Sequence, residues 1–254
     1  MAVVSNIEAL NTGNLFLDTL PLDSAKCIVP YLERAEAAAG AEVSSSGRPL
    51  EHVVFPIACI VSAVTRMRDG SDVEIVVVGR EGFYGMQVVL GSYVSANEAM
   101  VQIPNSLYRI RAADFRKCLD DDETLRLRAL FYVQATLDAM GQFSGCNRLH
   151  PINERCARWL LMAHDRIPND ELFLTHEFLA TMLGVRRPGV SVAAAALESA
   201  GFIEYRRGRI VIRDRRGLEA ASCECYGVAN DALVRVLGYD IRKSSTNGTN
   251  HLPP

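Results

Sequence analysis

The hydrophobic pattern of this chain changes its period at a run of three aspartates, Asp120, Asp121 and Asp122. Before the run, short apolar stretches rich in β-branched residues end at turn residues, as is typical of β-strands. After it, apolar residues recur at steps of three and four, as is typical of an α-helix. The chain is therefore predicted to be an α+β protein in which a β-rich domain precedes a helical part.

Two turn signals divide the strand region. Asp69–Gly70 follows one apolar run and precedes a second one, in which Val73, Ile75 and Val77 alternate with Asp72, Glu74 and Val76, a pattern that predicts a β-hairpin. Pro104–Asn105 separates the apolar runs 99–103 and 107–110, and we predict a second hairpin there. Several short antiparallel strands at this spacing are typical of a β-roll or jelly-roll of roughly 100 residues. Ahead of them, residues 15–40 have helical character interrupted by prolines.

The helical pattern that begins at Asp122 continues to Asn147, about 39 Å at a rise of roughly 1.5 Å per residue. This helix (120–148) is longer than a small β domain needs, and we predict that it forms the seam of a homodimer. An ordinary core helix within one chain is the alternative. The residues assigned to the seam are apolar and share helical spacing: Leu127, Leu130, Val133, Leu137 and Met140.

Residues 175–201 contain two short helical patterns on either side of Gly184. Thr175 is suited to cap the first helix, and Gly184 is suited to the left-handed conformation that ends it. Two such helices with a shared apolar face are typical of a helix-turn-helix, whose second helix enters the major groove of DNA. We assign DNA contacts to Thr175 and to the outer residues at the start of the second helix: Arg186, Arg187, Pro188, Gly189, Ser191 and Val192.

Residues 202–213 follow at once and predict two strands that turn at Arg207–Gly208. A basic turn beside a recognition helix is well placed to contact DNA phosphates, which position a protein without reading sequence. We therefore add Arg206, Arg207 and Arg209 to the DNA-binding residues. The competing interpretation is an αα-hairpin next to an unrelated β-hairpin.

The formal net charge of −3 conceals two halves of opposite sign. Residues 1–147 carry 12 Lys and Arg against 18 Asp and Glu, whereas residues 148–254 carry 15 against 12. Eight arginines and only three acidic residues fall within 186–216, a concentration that indicates a phosphate-bearing partner. A solvated arginine face is the alternative.

The order of β-rich domain, long helix and winged helix-turn-helix resembles the Crp/Fnr family of bacterial transcription regulators. The most specific stretches are 174–213 and 52–85. The resemblance implies a homodimer that binds double-stranded DNA, with RNA polymerase as a further partner. It also implies four segments: a cyclic-nucleotide-binding-like sensor domain (1–119), a dimerisation helix (120–148), a winged helix-turn-helix domain (149–222), and a C-terminal helix with a tail (223–254).

The resemblance also bears on which bases are contacted. Arg187 falls on the family's position for an arginine that contacts guanine. Pro188 stands where the family usually has glutamate, and Val192 occupies a further base-reading position. The DNA target is therefore expected to differ from the best-known one, with Pro188, Ser191 and Val192 sensing DNA shape or a thymine methyl group.

The sensor domain departs from family members that bind cyclic nucleotides. Those members have a Gly-Glu pair for the ribose and an arginine for the phosphate, whereas here Met86 follows Gly85 and Asn97–Glu98 occupies the phosphate position. A cyclic phosphate would lack its charge partner. The effector is therefore predicted not to be cyclic AMP, and a candidate effector pocket is assigned to Gly82, Gly85, Met86, Asn97 and Glu98. Another small molecule, a protein contact and no ligand at all stay open for this domain.

The cysteines and histidines give no support for an iron–sulfur or haem cofactor. Cluster-bearing family members have closely spaced N-terminal cysteines, and residues 1–26 contain none. His52, Cys59 and the N-terminus stay open as haem ligands, although isolated His and Cys residues are more often structural. Cys223 and Cys225 are a close pair that could be redox-active, half of a metal site or structural. Without a second such pair nearby, a structural role is favoured and no metal site is predicted.

An enzyme is the second hypothesis, because a jelly-roll can carry a metal site of the cupin kind. Such a site needs converging histidines, and only His52 lies in the strand region. No nucleophile-base arrangement and no phosphate-binding glycine loop occurs, so no catalytic residue is assigned. A small-molecule-binding module is the remaining alternative.

The expected compartment is the cytoplasm. The number of cysteines, seven, is odd, which argues against a complete set of disulfides and favours reduced thiols. The chain lacks a signal-like N-terminus. It also lacks an apolar stretch of about 18 residues, so no membrane contact is expected. Residues 244–254 have the composition of a disordered tail.

Overall fold

The computed structural model describes residues 10–242. The tail predicted at 244–254 lies outside the described residues. The helices are α1 Leu15–Asp18, α2 Leu22–Ile28, α3 Met86–Val89, α4 Ala112–Asp121, α5 Glu123–Leu149, α6 Ile152–His164, α7 His176–Leu183, α8 Arg187–Ser199, α9 Arg215–Ala220 and α10 Cys225–Leu237. The strands are β1 Glu33–Ala37, β2 Glu42–Ser44, β3 His52–Pro56, β4 Ile60–Arg66, β5 Asp72–Val78, β6 Glu98–Ile103, β7 Asn105–Arg111, β8 Glu171–Phe173, β9 Ile203–Arg206 and β10 Arg209–Ile212.

The strands of the N-terminal half form two sheets, in the orders β1-β7-β3 and β2-β6-β4-β5. Strand β7 pairs antiparallel with both of its neighbours, so that Glu33 lies opposite Arg109 and His52 lies opposite Arg111. Strand β6 pairs antiparallel with β2. The α+β class and the antiparallel N-terminal sheets predicted from the sequence are confirmed.

The hairpin predicted at Pro104–Asn105 is wrong. Only Pro104 separates β6 from β7, yet the two strands lie in different sheets. Proline offers no N–H to a ladder and fixes its own φ, so the chain turns there from one sheet into the other. The Asp69–Gly70 hairpin is confirmed, because β4 and β5 are neighbours and the Met67 N–H donates to the Ser71 carbonyl at 2.8 Å.

Residues 15–40 are only partly helical. Helices α1 and α2 and a 3-10 turn at Val29–Tyr31 account for the first part, but β1 follows them. The sequence Glu-Arg-Ala-Glu-Ala of β1 favours a helix, and pairing with β7 overrides this local preference.

The chain divides into two compact units, residues 10–61 with 78–133 and residues 62–77 with 134–242. Aromatic rings fill the core of the first unit, with neighbouring centroids between 4.7 and 6.2 Å apart. These rings belong to Phe16, Phe55, Phe83, Phe115 and Tyr132.

Asp122 separates α4 from α5. Its extended backbone ends α4, and its carboxylate accepts the N–H of Leu125 at 3.1 Å, which caps α5. Asp120 and Asp121 belong to the end of α4 and do not cap α5. The long helix itself is present and has 27 residues.

In the second unit, α6, α7 and α8 pack with a small sheet of order β8-β10-β9, in which β10 is antiparallel to both neighbours. Helix α6 begins directly after Pro151, and its Trp159 indole N–H donates to the Glu74 carboxylate at 2.8 Å. Within residues 10–242, no helix is long and apolar enough to span a membrane.

Candidate nucleic-acid interface

Two local signals define the turn between α7 and α8. The Thr175 hydroxyl accepts the N–H of Phe178 at 3.1 Å and caps α7, as predicted. Gly184 ends α7 with φ 61° and ψ 42°, a left-handed conformation that a residue without Cβ adopts without strain. The buried face shared by the two helices is apolar and comprises Leu179, Ala180, Met182, Leu183, Val190, Ala193, Ala194 and Leu197. The predicted helix-turn-helix is therefore present.

The outer face of α8 is exposed at its start. Arg187 is the first residue of the helix, Pro188 is the second, and both are exposed. Pro188 costs no helical hydrogen bond there, because the first-turn N–H groups have no acceptor within the helix. Val192, one turn further on, is 72% exposed, an uncommon position for a branched apolar side chain. The same face continues with the small exposed residues Ala195, Ala196 and Ser199. These residues were not assigned from the sequence, although three, four and seven residues after Val192 are positions on the same helix face.

Two other residues assigned to this face, Gly189 and Ser191, contact the rest of the protein instead of facing solvent. A Cβ at Gly189 would lie 3.1 Å from Ile152 Cδ1, so the outward orientation predicted for Gly189 is wrong. Its small size instead lets α8 approach α6. Ser191 is half-buried, and its hydroxyl donates to the Arg187 carbonyl at 3.2 Å.

His176 and Tyr205 connect α7 to the neighbouring elements, a role that sequence analysis missed. Their rings stack with centroids 4.2 Å apart, and His176 Nδ1 lies 3.0 Å from Ser191 Oγ on α8. Partial burial, helped by the nearby Arg187 guanidinium, lowers the pKa of His176, so the imidazole is neutral at pH 7. Arg187 itself lies 3.9 Å from the Glu177 carboxylate, and this exposed ion pair contributes little energy.

Strands β9 and β10 turn at Arg207–Gly208, as predicted. Arg207 has φ 46°, an uncommon value for a residue with a side chain. The Leu174 N–H donates to the Gly208 carbonyl at 2.9 Å, which holds the turn beside the start of α7. Arg186 and Arg207 are both exposed, and neither side chain forms a salt bridge within residues 10–242.

The other arginines of this segment have acidic partners. Glu204 accepts both Arg213 and Arg206, and its hydrogen bond with Arg213 is the main reason why the pKa of Glu204 is lowered. Arg209 pairs with Glu171 at 3.0 Å and lies over the exposed ring of Phe173 at 4.9 Å.

Arg215 has an internal role. Its guanidinium lies 2.6 Å from the fully buried Asp165 carboxylate and 2.6 Å from the Tyr226 hydroxyl. The count of arginines within 186–216 therefore overstates the charge that is available to a partner.

In the first unit, close packing leaves no room for a side chain at two of the residues assigned to an effector pocket. A side chain at Gly82 would overlap the ring of Tyr132, and one at Gly85 would press on Val53 and Leu50. Met86 starts α3, and Asn97 and Glu98 are half-buried at the start of β6. The pocket, like the prediction against cyclic AMP, stays a prediction.

Helix α5 carries exposed apolar side chains on one face: Leu127, Leu130, Phe131 and Leu137, which are 44%, 37%, 46% and 51% exposed. Phe131 was not assigned from the sequence, although it stands four residues after Leu127. Val133 is only 4% exposed within the single chain, and its assignment to the seam stays a prediction. Met140 is half-buried.

The expectation that no second cysteine or histidine pair lies near Cys223 and Cys225 is wrong. Cys146 and His150, at the end of α5, place their donor atoms within 4.8 Å of those of the C-terminal pair. The sequence separation of more than 70 residues hid this arrangement.

Part of the chain matches a known protein family. Residues 154–221 match the family described as the Crp-like helix-turn-helix domain. None of the curated proteins has a significant sequence match to the chain.

Several solved structures are similar along most of the chain. FixK2 from Bradyrhizobium japonicum is 15% identical with a TM-score of 0.62, over 76% of this chain and 98% of that one. TTHB099, a transcriptional regulator of the CRP family from Thermus thermophilus, is 18% identical with a TM-score of 0.62, over 75% and 96%. The c-di-GMP responsive global regulator CLP from Xanthomonas campestris is 16% identical with a TM-score of 0.59, over 76% and 99%.

Proposed function

We propose that this protein, which combines a Crp-like helix-turn-helix domain with the fold of the Crp/Fnr transcription regulators, is a sequence-specific DNA-binding transcription regulator that acts as a homodimer. The observation that carries the proposal is the exposed start of α8, where Arg186 and Arg187 precede the outward Val192. The exposed Arg207 of the wing adds a second cation in the same domain.

The arginines divide into two roles. Arg187, at the first position of the recognition helix, is proposed to contact a guanine edge in the major groove. Arg207, at the tip of the wing, is proposed to contact phosphate, because a turn that projects from the domain reaches the backbone before it reaches the bases. The N-terminus of α7 with Thr175 offers N–H groups to another phosphate.

Beyond Arg187 the recognition face is small and apolar. Pro188, Val192 and Ala195 have no hydrogen-bonding group in their side chains, so they are suited to contact a thymine methyl group or to tolerate any base. We therefore propose that each half-site contains one strongly specified guanine next to positions selected by methyl contact or DNA shape.

The homodimer is proposed to form through the exposed face of α5 that carries Leu127, Leu130, Phe131 and Leu137. A two-fold axis between two such helices would place two recognition helices in successive major grooves, with half-site centres about 34–36 Å apart. A regulator of this kind works on chromosomal DNA in the cytoplasm, and RNA polymerase is its proposed further partner.

The matched substitutions Arg187→Ala and Arg207→Ala test these roles. DNA selected from a random pool by the wild-type protein is expected to be a pseudo-palindrome. Arg187→Ala should reduce discrimination at one base pair of each half-site by about 1–3 kcal/mol. Arg207→Ala should weaken binding to all sequences about equally and make the salt dependence shallower.

Arg116→Ala is the control, because it removes the same charge from α4 in the first unit, where Arg116 is half-buried and pairs with Asp120. It should bind as the wild type does. If Arg187→Ala selected the same sequence with the same stringency as the wild type, the proposed recognition helix would be refuted. If the wild type retained no DNA at low salt, the function itself would be refuted.

A further inference from the structure

Four metal-binding side chains meet at the end of α5. Cys146 and His150 stand four residues apart, so they lie on the same side of the helix axis. Cys223 lies between α9 and α10, and Cys225 is the first residue of α10. The four donor atoms lie within 4.8 Å of one another, with Cys146 Sγ 3.5 Å from Cys223 Sγ and Cys225 Sγ 3.5 Å from His150 Nδ1.

The site is enclosed by protein. Cys146, Cys223 and Cys225 are 1%, 4% and 0% exposed, and Phe143 packs against them. The Gln142 side-chain amide donates to Cys225 Sγ at 3.1 Å. Buried thiols with converging sulfur atoms are a setting in which a metal ion would be held away from water.

The second nitrogen of His150 has its own partner. His150 Nε2 lies 3.2 Å from a carboxylate oxygen of Glu224, while Nδ1 faces the sulfur atoms. A histidine that ligates a metal with one nitrogen and donates an N–H to a carboxylate with the other is a recurrent arrangement, because the carboxylate fixes the tautomer and the ring orientation. Glu224, between the two cysteines in sequence, therefore has a positioning role.

Two arginines would offset part of the negative charge that metal-bound thiolates carry. Three thiolates and a neutral imidazole around a divalent cation leave a net charge of about −1. Arg158 acts electrostatically on Cys146 and Cys223, and so does Arg155. A nearby guanidinium offsets that residual negative charge.

We propose that Cys146, His150, Cys223 and Cys225 form a structural zinc site. In a tetrahedral site with Zn–S bonds of about 2.3 Å, neighbouring ligand atoms are about 3.8 Å apart, close to the 3.5 Å separations found here. Soft thiolate and imidazole ligands favour Zn²⁺ over oxygen-preferring Mg²⁺ or Ca²⁺. Four protein ligands leave no open coordination position, which is characteristic of a structural site.

Zinc at this position would join the end of α5 to the start of α10. Cys225 is the first residue of α10, and His150 directly follows α5. The ion would thereby close a loop of more than 70 residues that contains the entire helix-turn-helix, and would stabilise that part of the chain against unfolding.

Metal analysis of the full-length protein tests the proposal. The protein purified without chelator is expected to contain about one zinc per chain. After removal of zinc, addition of Co²⁺ should give the intense near-ultraviolet absorption of thiolate-to-cobalt charge transfer. A strong chelator should lower the melting temperature of the wild type, and added Zn²⁺ should restore it.

Three variants and a control make the test specific. Cys223→Ser and His150→Gln should lose the stoichiometric zinc and the cobalt band. Glu224→Gln changes a largely exposed side chain and should weaken zinc affinity about 10- to 100-fold without loss of folding. Cys27→Ser, in the first unit and outside the cluster, should bind zinc as the wild type does.

Several outcomes would overturn the proposal. The first is a wild-type protein that neither retains zinc nor binds Co²⁺ through thiolates. The second is a disulfide between Cys146 and Cys223 in protein kept under reducing conditions. The third is the broad visible absorption of an iron–sulfur cluster in protein purified without oxygen. Because metal content and melting temperature need no DNA, failure of this proposal is distinguishable from failure of the proposed function.

Discussion

Substitution of Leu137 by glutamate tests whether the exposed face of α5 is a dimer seam. Leu137 is 51% exposed in the single chain and lies on the same face as Leu130 and Leu127. If two copies of α5 pack along this face, the exposed half of each Leu137 side chain becomes buried. Glutamate at this position would carry its charge into the seam.

The magnitude follows from the exposed fraction. Complete burial of a leucine side chain contributes about 1.5–3 kcal/mol, so the exposed half contributes about 0.8–1.5 kcal/mol. Two-fold symmetry doubles the effect to about 1.5–3 kcal/mol per dimer. Since about 1.4 kcal/mol corresponds to tenfold in a dissociation constant, Leu137→Glu should weaken dimerisation about 10- to 100-fold from lost burial alone. Desolvation of two carboxylates would add to this loss.

Light scattering and sedimentation across a dilution series measure the dissociation constant. Leu137→Met is the matched control, because it keeps an apolar side chain of similar volume and should leave the dissociation constant nearly unchanged. A Leu137→Glu protein that dimerises as tightly as the wild type would remove α5 from the proposed seam.

Three further substitutions test contacts within the second unit by urea unfolding. Thr175→Ala should lower the free energy of unfolding by about 1 kcal/mol, because it removes the cap of α7, whereas Thr175→Ser should not; equal effects would contradict the capping role. Arg215→Met should cost about 3–5 kcal/mol by leaving the fully buried Asp165 carboxylate without its ion pair, and a cost below about 1 kcal/mol would refute that role. Trp159→Phe removes a hydrogen-bond donor to the Glu74 carboxylate. Burial raises the pKa of Glu74, so its charged form destabilises the folded state at neutral pH, and protonation of the carboxylate removes this cost. The loss caused by Trp159→Phe should thus be largest above the folded pKa of Glu74 and shrink as pH falls through it, and a loss independent of pH would contradict this assignment.

Local sequence signals were sufficient for much of the fold and for the frame of the candidate site. The Thr175 cap, the left-handed Gly184 and the Asp69–Gly70 turn were all predicted correctly. Each depends on the φ preference or side-chain hydrogen bond of one or two neighbouring residues, which any chain with the same local sequence would share.

Partners that are distant in sequence could not be predicted in this way. β1 was expected to be helical because its residues favour a helix, and its pairing with β7 depends on residues more than 60 positions away. At Pro104 the chain passes from one sheet to the other because of which strands have free edges to pair with. A local turn signal carries no information about those distant edges. The charge count of 186–216 missed that Glu171 and Asp165, which lie outside this range, pair with Arg209 and Arg215.

By itself, the sequence determined the order of elements, the helix-turn-helix and the position of Arg187 at the start of its second helix, because hydrophobic period and capping act over a few residues. Only the tertiary structure decided which residues of α5 and α8 face outward and which arginines are paired. It also brought Cys146 and His150 to Cys223 and Cys225, because side chains separated by 77 and 75 residues meet only through the packing of the elements that carry them.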